Sequence, residues 1–173
     1  MAKVFRYFFL SHSEGSGSRS IGSSSHAEGN STYAAADNAH AEGYQTQAVS
    51  ASTHAEGYQS MAANNYAHAE GYMSTASGQT SHSEGYKTQA FGYCSHAEGQ
   101  RSNSSTTTTY DNNTYSFGAS RNTSHSEGED TIAYGVCSHA EGQRTKALAD
   151  YAHTEGHECV VKPNCTAENE QVD

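Results

Sequence analysis

"HAEGYQTQA", residues 40–48, is repeated closely as "HAEGYQSMA" at 54–62 and as "HSEGYKTQA" at 82–90. Each copy carries a His-x-Glu-Gly motif followed by a small residue at a fixed distance. The motif occurs ten times, and successive copies begin 14 residues apart from His12 to His96 and again from His125 to His153. A disordered chain has no reason to hold such a register, so the sequence predicts a structural repeat of fixed length.

The composition alone would indicate a chain too polar to fold. Val, Ile, Leu and Phe make up only 15 of the 173 residues, a fraction typical of disordered proteins. The regular repeat outweighs that indication. The net charge is −10, with 9 Lys and Arg against 19 Asp and Glu, so the chain lacks the basic surface that nucleic-acid binding requires. No nucleic-acid partner is expected.

The length of the repeat indicates its structure. Fourteen residues are too few for a helical hairpin, and no position carries the regular apolar residue of a heptad. Each copy divides into two halves of the forms S-H-A-E-G and T-x-A-x-G, in which small and variable residues alternate as they do in strands. We therefore predict an all-β fold, a parallel β-roll (solenoid) of about eleven coils with two short strands and two turns each. Stacked at ~4.8 Å, the coils would form a rod about 50 Å long.

The small positions of the repeat are expected to face inward and form a thin core. They include the position three residues after the motif glycine, which is Ser or Thr in nearly every copy, and the position two residues later, which is usually alanine. They also include the residue after each histidine, as in Ala27, Ala41, Ala55, Ala69, Ala97 and Ala140. The most variable slot is expected to face solvent, and it holds Arg19, Tyr33, Gln47, Met61, Thr75, Gln89, Asn103, Ile132, Lys146 and Val160. The motif glycines are expected to form turns: Gly15, Gly29, Gly43, Gly57, Gly71, Gly85, Gly99, Gly128, Gly142 and Gly156.

The histidine and glutamate of each motif should point away from the core, yet neither changes in any copy. An outward face that does not vary indicates a packed surface, and a second copy of the chain is the simplest partner. Stacked glutamates repel one another, and imidazoles can donate to carboxylates of their own or a neighbouring subunit. We predict an inter-subunit polar ladder made of His12, Glu14, His26, Glu28, His40, Glu42, His54, Glu56, His68, Glu70, His82, Glu84, His96, Glu98, His125, Glu127, His139, Glu141, His153 and Glu155.

The repeats resemble the head repeats of trimeric autotransporter adhesins, the YadA-like left-handed parallel β-roll, and the "SHAEG" copies are similar to those of phage tail-fibre and tailspike proteins. The resemblance covers residues 11 to about 166. It implies left-handed coils and threefold symmetry, in an intertwined or side-by-side homotrimer. Adhesin heads often carry apolar outward residues, as in S-V-A-I-G, where this chain carries His and Glu. The sequence shows nothing resembling the adhesins' stalk or membrane anchor, which favours the fibre interpretation.

The resemblance implies a structural and attachment module of a trimeric extracellular or virion fibre, which presents a rod-like surface to a host-surface protein or glycan. A purely structural filament of rods stacked end to end is the alternative. A metal-binding rod that uses the histidine column is a second alternative, although no metal or cofactor is assigned. No enzymatic activity is predicted, because adjacent serine and histidine residues point to opposite faces of a strand, and H-x-E-G is not the zinc motif H-E-x-x-H.

Three segments depart from the repeat. Residues 1–10, which include the apolar "VFRYFFL", are expected to cap the first coil, to dock a neighbouring fibre component or, least favoured, to direct secretion; they are too short to span a bilayer. Residues 100–124 are expected to form a degenerate coil with a bulge or loop, whose candidate receptor contacts are Tyr110, Asn112, Asn113 and Tyr115. The roll is expected to span 11–166 and to stop near Pro163, before a polar tail at 167–173.

Two further residue sets follow from the register. Tyr44, Tyr58, Tyr72 and Tyr86 should stack along one turn edge, where simple packing is favoured and a carbohydrate-binding stripe is the alternative. Cys159 and Cys165 form the one plausible disulfide within a chain, whereas Cys94 and Cys137 occupy equivalent slots in coils too distant to bond.

Overall fold

The structure is a computed structural model, and it describes residues 10–100, 108–110, 113–115 and 118–162. All regular elements in this part of the chain are β-strands. It contains no helix of the length and apolarity needed to cross a membrane. Of the predicted cap at 1–10, only Leu10 is described, and both Pro163 and the tail at 167–173 lie outside the described residues.

Two parallel sheets of ten strands each make up the rod. The first sheet holds the motif segments β1 (His12–Ser16), β3 (His26–Asn30), β5 (His40–Tyr44), β7 (His54–Tyr58), β9 (His68–Tyr72), β11 (His82–Tyr86), β13 (His96–Gln100), β17 (His125–Glu129), β19 (His139–Gln143) and β21 (His153–Thr154). The second holds β2 (Arg19–Ser20), β4 (Tyr33–Ala34), β6 (Gln47–Ala48), β8 (Met61–Ala62), β10 (Thr75–Ala76), β12 (Gln89–Ala90), β16 (Gly118–Ala119), β18 (Ile132–Ala133), β20 (Lys146–Ala147) and β22 (Val160–Val161). The predicted all-β parallel solenoid of 14-residue coils is confirmed.

The interval between His96 and His125 contains no additional coil. β13 pairs directly with β17, so that His96 lies beside His125, and β12 pairs with β16 through Ala90 and Ala119. The interval of 29 residues is therefore one coil of 14 with an insertion of 15. The described coils number ten rather than about eleven, and the predicted degenerate coil at 100–124 is wrong as a separate rung of the stack.

The insertion contains a β-hairpin. Its strands are β14 (Thr108–Tyr110) and β15 (Asn113–Tyr115), which pair antiparallel and belong to neither of the two long sheets. Parallel pairing resumes in register on both sides of it, because an extra segment at a coil corner does not change the positions of the paired strands. The sequence could not distinguish a weak coil from an inserted hairpin, since both occupy the same number of residues.

The core consists of small residues, as predicted. Ala27, Ala41, Ala55, Ala69, Ala97 and Ala140 are all fully buried, and so are the alanines of the second sheet. Core hydroxyls are satisfied mainly by nearby backbone carbonyls: Ser81 Oγ donates to the Gly78 carbonyl at 2.7 Å, and Ser74 Oγ donates to the Glu70 carbonyl at 2.6 Å. Alanine and hydroxyl side chains can therefore fill a narrow interior in which most hydroxyls are paired, Thr145 and Thr154 being exceptions.

The slot predicted to face solvent is exposed or half-buried at its described positions, except at Ile132. Ile132 points away from the alanine core but is fully buried, because it packs in an apolar cluster with Leu148, Tyr134 and Val160. The prediction that this residue lies outside is therefore wrong. Asn103, another member of the slot, lies outside the described residues.

The motif glycines are required by the close approach of successive coils. Gly43, for example, has a φ of +108°, and a Cβ built on it would lie 2.2 Å from the carbonyl oxygen of Gly57. From Gly15 to Gly142, the distance from such a Cβ to the carbonyl oxygen of the next motif glycine is 1.9–2.4 Å, which is too short for any side chain. The nine motif glycines from Gly15 to Gly142 lie within the strands of the first sheet rather than in the turns, so for them the prediction of a turn is wrong, whereas Gly156 lies in a bend after β21.

Apart from Gly17 in the first coil, the left-handed turn positions hold residues other than glycine. Two residues in each regular coil, seven positions apart, adopt a left-handed conformation with φ of 51–62°, as Asn38 and Gln45 do. Such residues are strained, and they persist where the surroundings determine the backbone. From Ser31 onward, each donates its amide to the preceding coil, as Gln45 does to the Asn30 carbonyl at 2.8 Å. Neighbouring coils therefore hold the turns in place.

We expect Gly57→Ala to lower the free energy of unfolding by more than the ~1 to 3 kcal/mol that a strained backbone alone costs. The reason is that its Cβ would also collide with the Gly71 carbonyl oxygen, 2.2 Å away. Gly17→Ala is the matched control, because Gly17 has a φ of +70° but its nearest neighbour is the Ser31 side chain at 3.3 Å. Urea unfolding measures both variants. Equal losses would contradict a role for the inter-coil contact.

Replacing residues 101–117 by Lys-Thr, the pair found at 87–88, restores a 14-residue coil. We expect the free energy of unfolding to change by no more than about 1 kcal/mol, because removing a loop recovers only a small closure entropy and both sheets already pair across the insertion. Deleting Lys87 and Thr88 is the control, since it shortens a regular coil and should abolish cooperative unfolding. Loss of folding in the replacement variant would show that the hairpin is part of the scaffold.

Candidate functional site

The candidate site is the outward surface of the first sheet, which we call the His/Glu face. It consists of the twenty residues of the predicted polar ladder, from His12 and Glu14 to His153 and Glu155. Strand alternation places these side chains opposite the buried small residue between them, as Ala69 lies between His68 and Glu70. The parallel pairing aligns equivalent residues of successive coils, so the face carries one column of imidazoles and one of carboxylates.

The imidazole rings form a continuous stack. From His26 to His153, neighbouring ring centroids are 4.7–4.9 Å apart and the ring planes differ by 17° or less. The stack continues across the inserted hairpin, with His96 and His125 at 4.8 Å. Only the first pair is not parallel, because the ring of His12 is tilted by 54° relative to that of His26. The predicted imidazole column is confirmed.

The imidazoles do not form the expected hydrogen bonds within their own chain. The Nε2 atom lies 3.4 Å from the glutamate Oε2 at the closest pair, His68 and Glu70, and as far as 3.9 Å elsewhere, which is too long for a good hydrogen bond. The side chains are about one-third exposed, yet the Nε2 atom itself is buried and has no hydrogen-bond partner in His26, His40, His54, His68, His82, His96, His125 and His139. That a carboxylate of a neighbouring subunit binds these nitrogens stays a prediction.

Stacking also changes the protonation of the histidines. Burial lowers the pKa of His68, the charges of His82 and His54 lower it further, and the carboxylates of Glu70 and Glu56 oppose the change. Protonating His68 places a positive charge against its neighbours in the stack, so its neutral form is favoured. The same direction, with burial as the first cause, applies to His40, His96 and His125.

The carboxylate column shows the corresponding cost of stacking like charges. Burial, a hydrogen bond to Glu84 and the charges of Glu127 and Glu84 raise the pKa of Glu98. Among the described residues, no Lys or Arg is a cause of this shift. Carboxylates that repel one another along the face are stabilised by positive charge, which a partner surface can supply.

The sequence did not reveal that a glutamate also approaches the histidine of an adjacent coil. His26 Nε2 lies 4.0 Å from Glu14 Oε1, in addition to the approach of His12 Nε2 to Glu14 Oε2 at 3.6 Å. Sequence reasoning paired each histidine with the glutamate two residues later and did not consider the neighbouring coil. The signal that could have found this contact is the 14-residue register, since it stacks the coils within reach of one side chain.

The serine that precedes a motif histidine lies in the core and does not face the imidazole. Ser95 is buried, for example, and its Oγ donates to the Gly92 carbonyl at 2.7 Å. The side chains of serine, histidine and glutamate are therefore not arranged as a triad there.

The predicted tyrosine stack is present on an adjacent edge of the rod. Rings of Tyr44, Tyr58, Tyr72 and Tyr86 lie 4.8–5.0 Å apart and nearly parallel. They occupy the last positions of strands in the first sheet rather than the turns. Because each ring covers the face of the next, mostly ring edges remain exposed, which favours packing over the stacking of a sugar on an aromatic face.

The remaining predicted sites are only partly described. Tyr110 lies in β14, and Asn113 and Tyr115 lie in β15, whereas Asn112 is outside the described residues. Cys94 and Cys137 are exposed, and their Sγ atoms lie 2.9 Å from the hydroxyls of Thr80 and Thr123 in the preceding coil.

Cys159 is also exposed, but Cys165, its predicted partner in a disulfide, lies outside the described residues. The predicted pairing therefore stays a prediction.

Comparisons with known proteins do not identify this fold or site: no protein-family model, curated protein or solved structure matches the chain. The resemblance to adhesin heads and tail-fibre repeats stays a prediction.

We expect acid to destabilise the fold through the histidine column. A histidine whose pKa is lowered on folding binds fewer protons in the folded than in the unfolded chain, so stability falls as the pH drops below the ordinary value of 6.5. The raised pKa of Glu98 has the opposite effect and stabilises the fold as the pH falls, but it is a single group, whereas the pKa is lowered in four histidines. Urea unfolding at pH 7.5 and 5.5 measures the net change.

Imidazole NMR titrations test the cause. Midpoints of His40, His68, His96 and His125 should lie below those of the same residues in the urea-unfolded chain. Equal or higher midpoints in the folded chain would contradict the role of stacking.

Proposed function

We propose that the chain is a non-enzymatic structural and attachment module of a homotrimeric fibre, outside the cell or on a virion. Its subunits pack through the His/Glu face. The observation that supports the proposal is the row of eight buried Nε2 atoms that lack a hydrogen-bond partner in the single chain. Buried polar atoms are normally paired, and a partner surface could pair these eight if the partly exposed imidazoles turn outward on assembly.

A second copy of the chain is suited to complete this face. The unpaired nitrogens recur at the coil spacing, with rings 4.7–4.9 Å apart, and the carboxylate column of a parallel neighbour would recur at the same spacing. A partner without that period could match only one or two coils. If the histidines of each subunit meet the glutamates of the next, the contact is heterologous and closes as a ring. The threefold closure rests on the family resemblance.

An interface of this kind depends on complete pairing. Hydrogen bonds between imidazole and carboxylate in a water-poor contact are favourable when every member is paired, and costly when one is left alone. The polar columns would therefore give specificity where the apolar heads of the adhesins depend on hydrophobic contact. The single chain also stays soluble more easily with an exposed polar face than with an apolar one.

The inserted hairpin is proposed as the attachment element. It belongs to neither sheet of the rod, and the register of the coils is the same on both sides of it. Loops carried on a rigid scaffold can vary without disturbing it, and for that reason they often contact partners. Tyr110 and Tyr115 in its strands would supply aromatic contact to a host-surface protein or glycan.

A filament of rods stacked end to end is the second candidate. The strands β1 and β2 end their sheets on one side, and β21 and β22 end them on the other. Terminal strands present backbone groups that can pair with another sheet edge. Among the described residues, this is the observation that favours a continuous filament.

Sedimentation and light scattering of the purified chain test the assembly. We expect a discrete trimer at micromolar concentration, and a triple variant Glu56→Gln, Glu70→Gln, Glu84→Gln should dissociate at a protein concentration at least about tenfold higher. Because the dissociation constant of a trimer scales with the square of the concentration, this is the equivalent of about 2.7 kcal/mol. Glutamine keeps the shape of the side chain and removes the charge that binds the neighbouring imidazole.

The matched control makes the same change in net charge away from the face. It is the triple variant Asp37→Asn, Glu129→Gln, Asp150→Asn, which retains the acceptor oxygens that bond Ser23, Gln143 and Val136. A monomeric chain would refute the packed face, a dimer would refute only the threefold symmetry, and polymers of increasing length would favour the filament. Equal dissociation of both triple variants would show that net charge, not the His/Glu face, controls assembly.

A further inference from the structure

The His/Glu face contains sets of three side chains that converge across two coils. In each set, one nitrogen from each of two stacked histidines and one oxygen of the glutamate between them all lie within 4.8 Å of one another. The sets are His12, Glu14 and His26; His68, Glu70 and His82; His96, Glu98 and His125; His125, Glu127 and His139; and His139, Glu141 and His153.

The donor atoms in these sets suit a divalent transition metal. Neutral imidazole nitrogen and carboxylate oxygen together are typical ligands of Zn²⁺, and imidazole also suits Cu²⁺ and Ni²⁺. The Nε2 atoms of His68, His82 and His96 are buried and have no hydrogen-bond partner, so no contact in the chain must be broken to free them for a metal. A column of carboxylates that repel one another is also stabilised by positive charge.

The geometry requires only a small adjustment. Tetrahedral zinc with bonds of about 2.0–2.1 Å holds its ligand atoms about 3.4 Å apart. His68 Nε2 and Glu70 Oε2 already lie 3.4 Å apart. The ring of His82 lies one coil away, 4.7 Å between centroids, and must tilt to bring its nitrogen closer. Its side chain is 37% exposed, which leaves room for that rotation.

We propose that His68, Glu70 and His82 together bind one divalent transition-metal ion such as Zn²⁺, and that the other sets bind equivalent ions. Each set supplies three ligands from a single chain. The fourth position is available to water or to a carboxylate of a neighbouring subunit.

Sharing of histidines limits the number of ions. His125 and His139 each belong to two sets, and one Nε2 atom can bind only one metal at a time. At most four of the five sets can therefore be filled together: those that begin at His12, His68, His96 and His139. A limit of four ions distinguishes these sites from uniform binding along ten equivalent rungs.

The inference concerns the same face as the proposed trimer but does not require it, because each set is complete within one chain. A metal would take the place of the inter-subunit hydrogen bond at the histidines that it binds. The unshared motifs, such as the one that begins at His40, would still be available for contact between subunits.

Isothermal titration of the full chain with ZnCl₂ tests the proposal, with all four cysteines alkylated so that thiols do not contribute. We expect saturation at no more than four ions per chain, and visible absorption bands of tetrahedral Co²⁺ when cobalt replaces zinc. Glu70→Gln should remove one ion from the stoichiometry. Glu42→Gln is the control, since His40, Glu42 and His54 do not form one of the close sets among the described residues, and it should leave the stoichiometry unchanged.

Three results would overturn the proposal: no saturable binding, equal effects of the two glutamate variants, or octahedral cobalt spectra that show only exposed single ligands. Light scattering on the same samples separates this inference from the proposed function. A monomer that binds zinc refutes the trimer and supports the metal sites, whereas a trimer that binds no zinc refutes the metal sites and supports the packed face.

Discussion

The contact between the glycines of successive coils is the constraint on which the rest of this structure depends. The position of a Cβ on each motif glycine up to Gly142 is already taken by the backbone of the next coil, at 1.9–2.4 Å. The strands of the first sheet can approach to hydrogen-bonding distance at this point only without a side chain. Once ten strands are aligned there, every other residue of the repeat must stack on its equivalent. The regular repetition of histidine, glutamate and core alanine follows from that alignment.

Stacking has a favourable and an unfavourable consequence. It lets alanine and hydroxyl side chains form a dry core that the composition would not suggest, because sheets lined with small residues can lie close together. It also brings like groups together on the surface, so that burial and neighbouring histidines lower the pKa of His68 while burial and neighbouring glutamates raise that of Glu98. An outward face with these properties is poorly satisfied in a single chain. The two proposals, a second copy and a bound cation, are two ways to satisfy it.

Much of the fold and of the His/Glu face could be predicted from the sequence, because in a strict repeat the position of a residue determines whether it faces the core or the solvent. The 14-residue coil, the buried Ala27 and Ala55 and the outward His68 and Glu70 all follow from alternation within one register. The predictions that failed concern features that depend on contacts between segments distant in sequence. The sequence could not tell an inserted hairpin from a weak coil, and it gave no indication that Ile132 is covered by Leu148 and its neighbours. The sequence also predicted glycine in the turns. The structure instead places residues such as Gln45 there, and hydrogen bonds between coils hold them in the left-handed conformation.

Repetition leaves one problem that the His/Glu face cannot solve by itself. With ten equivalent rungs, sliding one subunit by a single coil would lose only one rung of contact in ten, so the ladder aligns subunits side by side but defines their axial position weakly. A unique assembly therefore needs features that occur once in the chain. The coil that begins at His96 carries the only insertion among the described coils, and the apolar cluster around Ile132 lies two strands further along the second sheet than β12. Three hairpins at one level of a trimer would align only when the subunits are in register, so a segment proposed for attachment would also determine how the rods align.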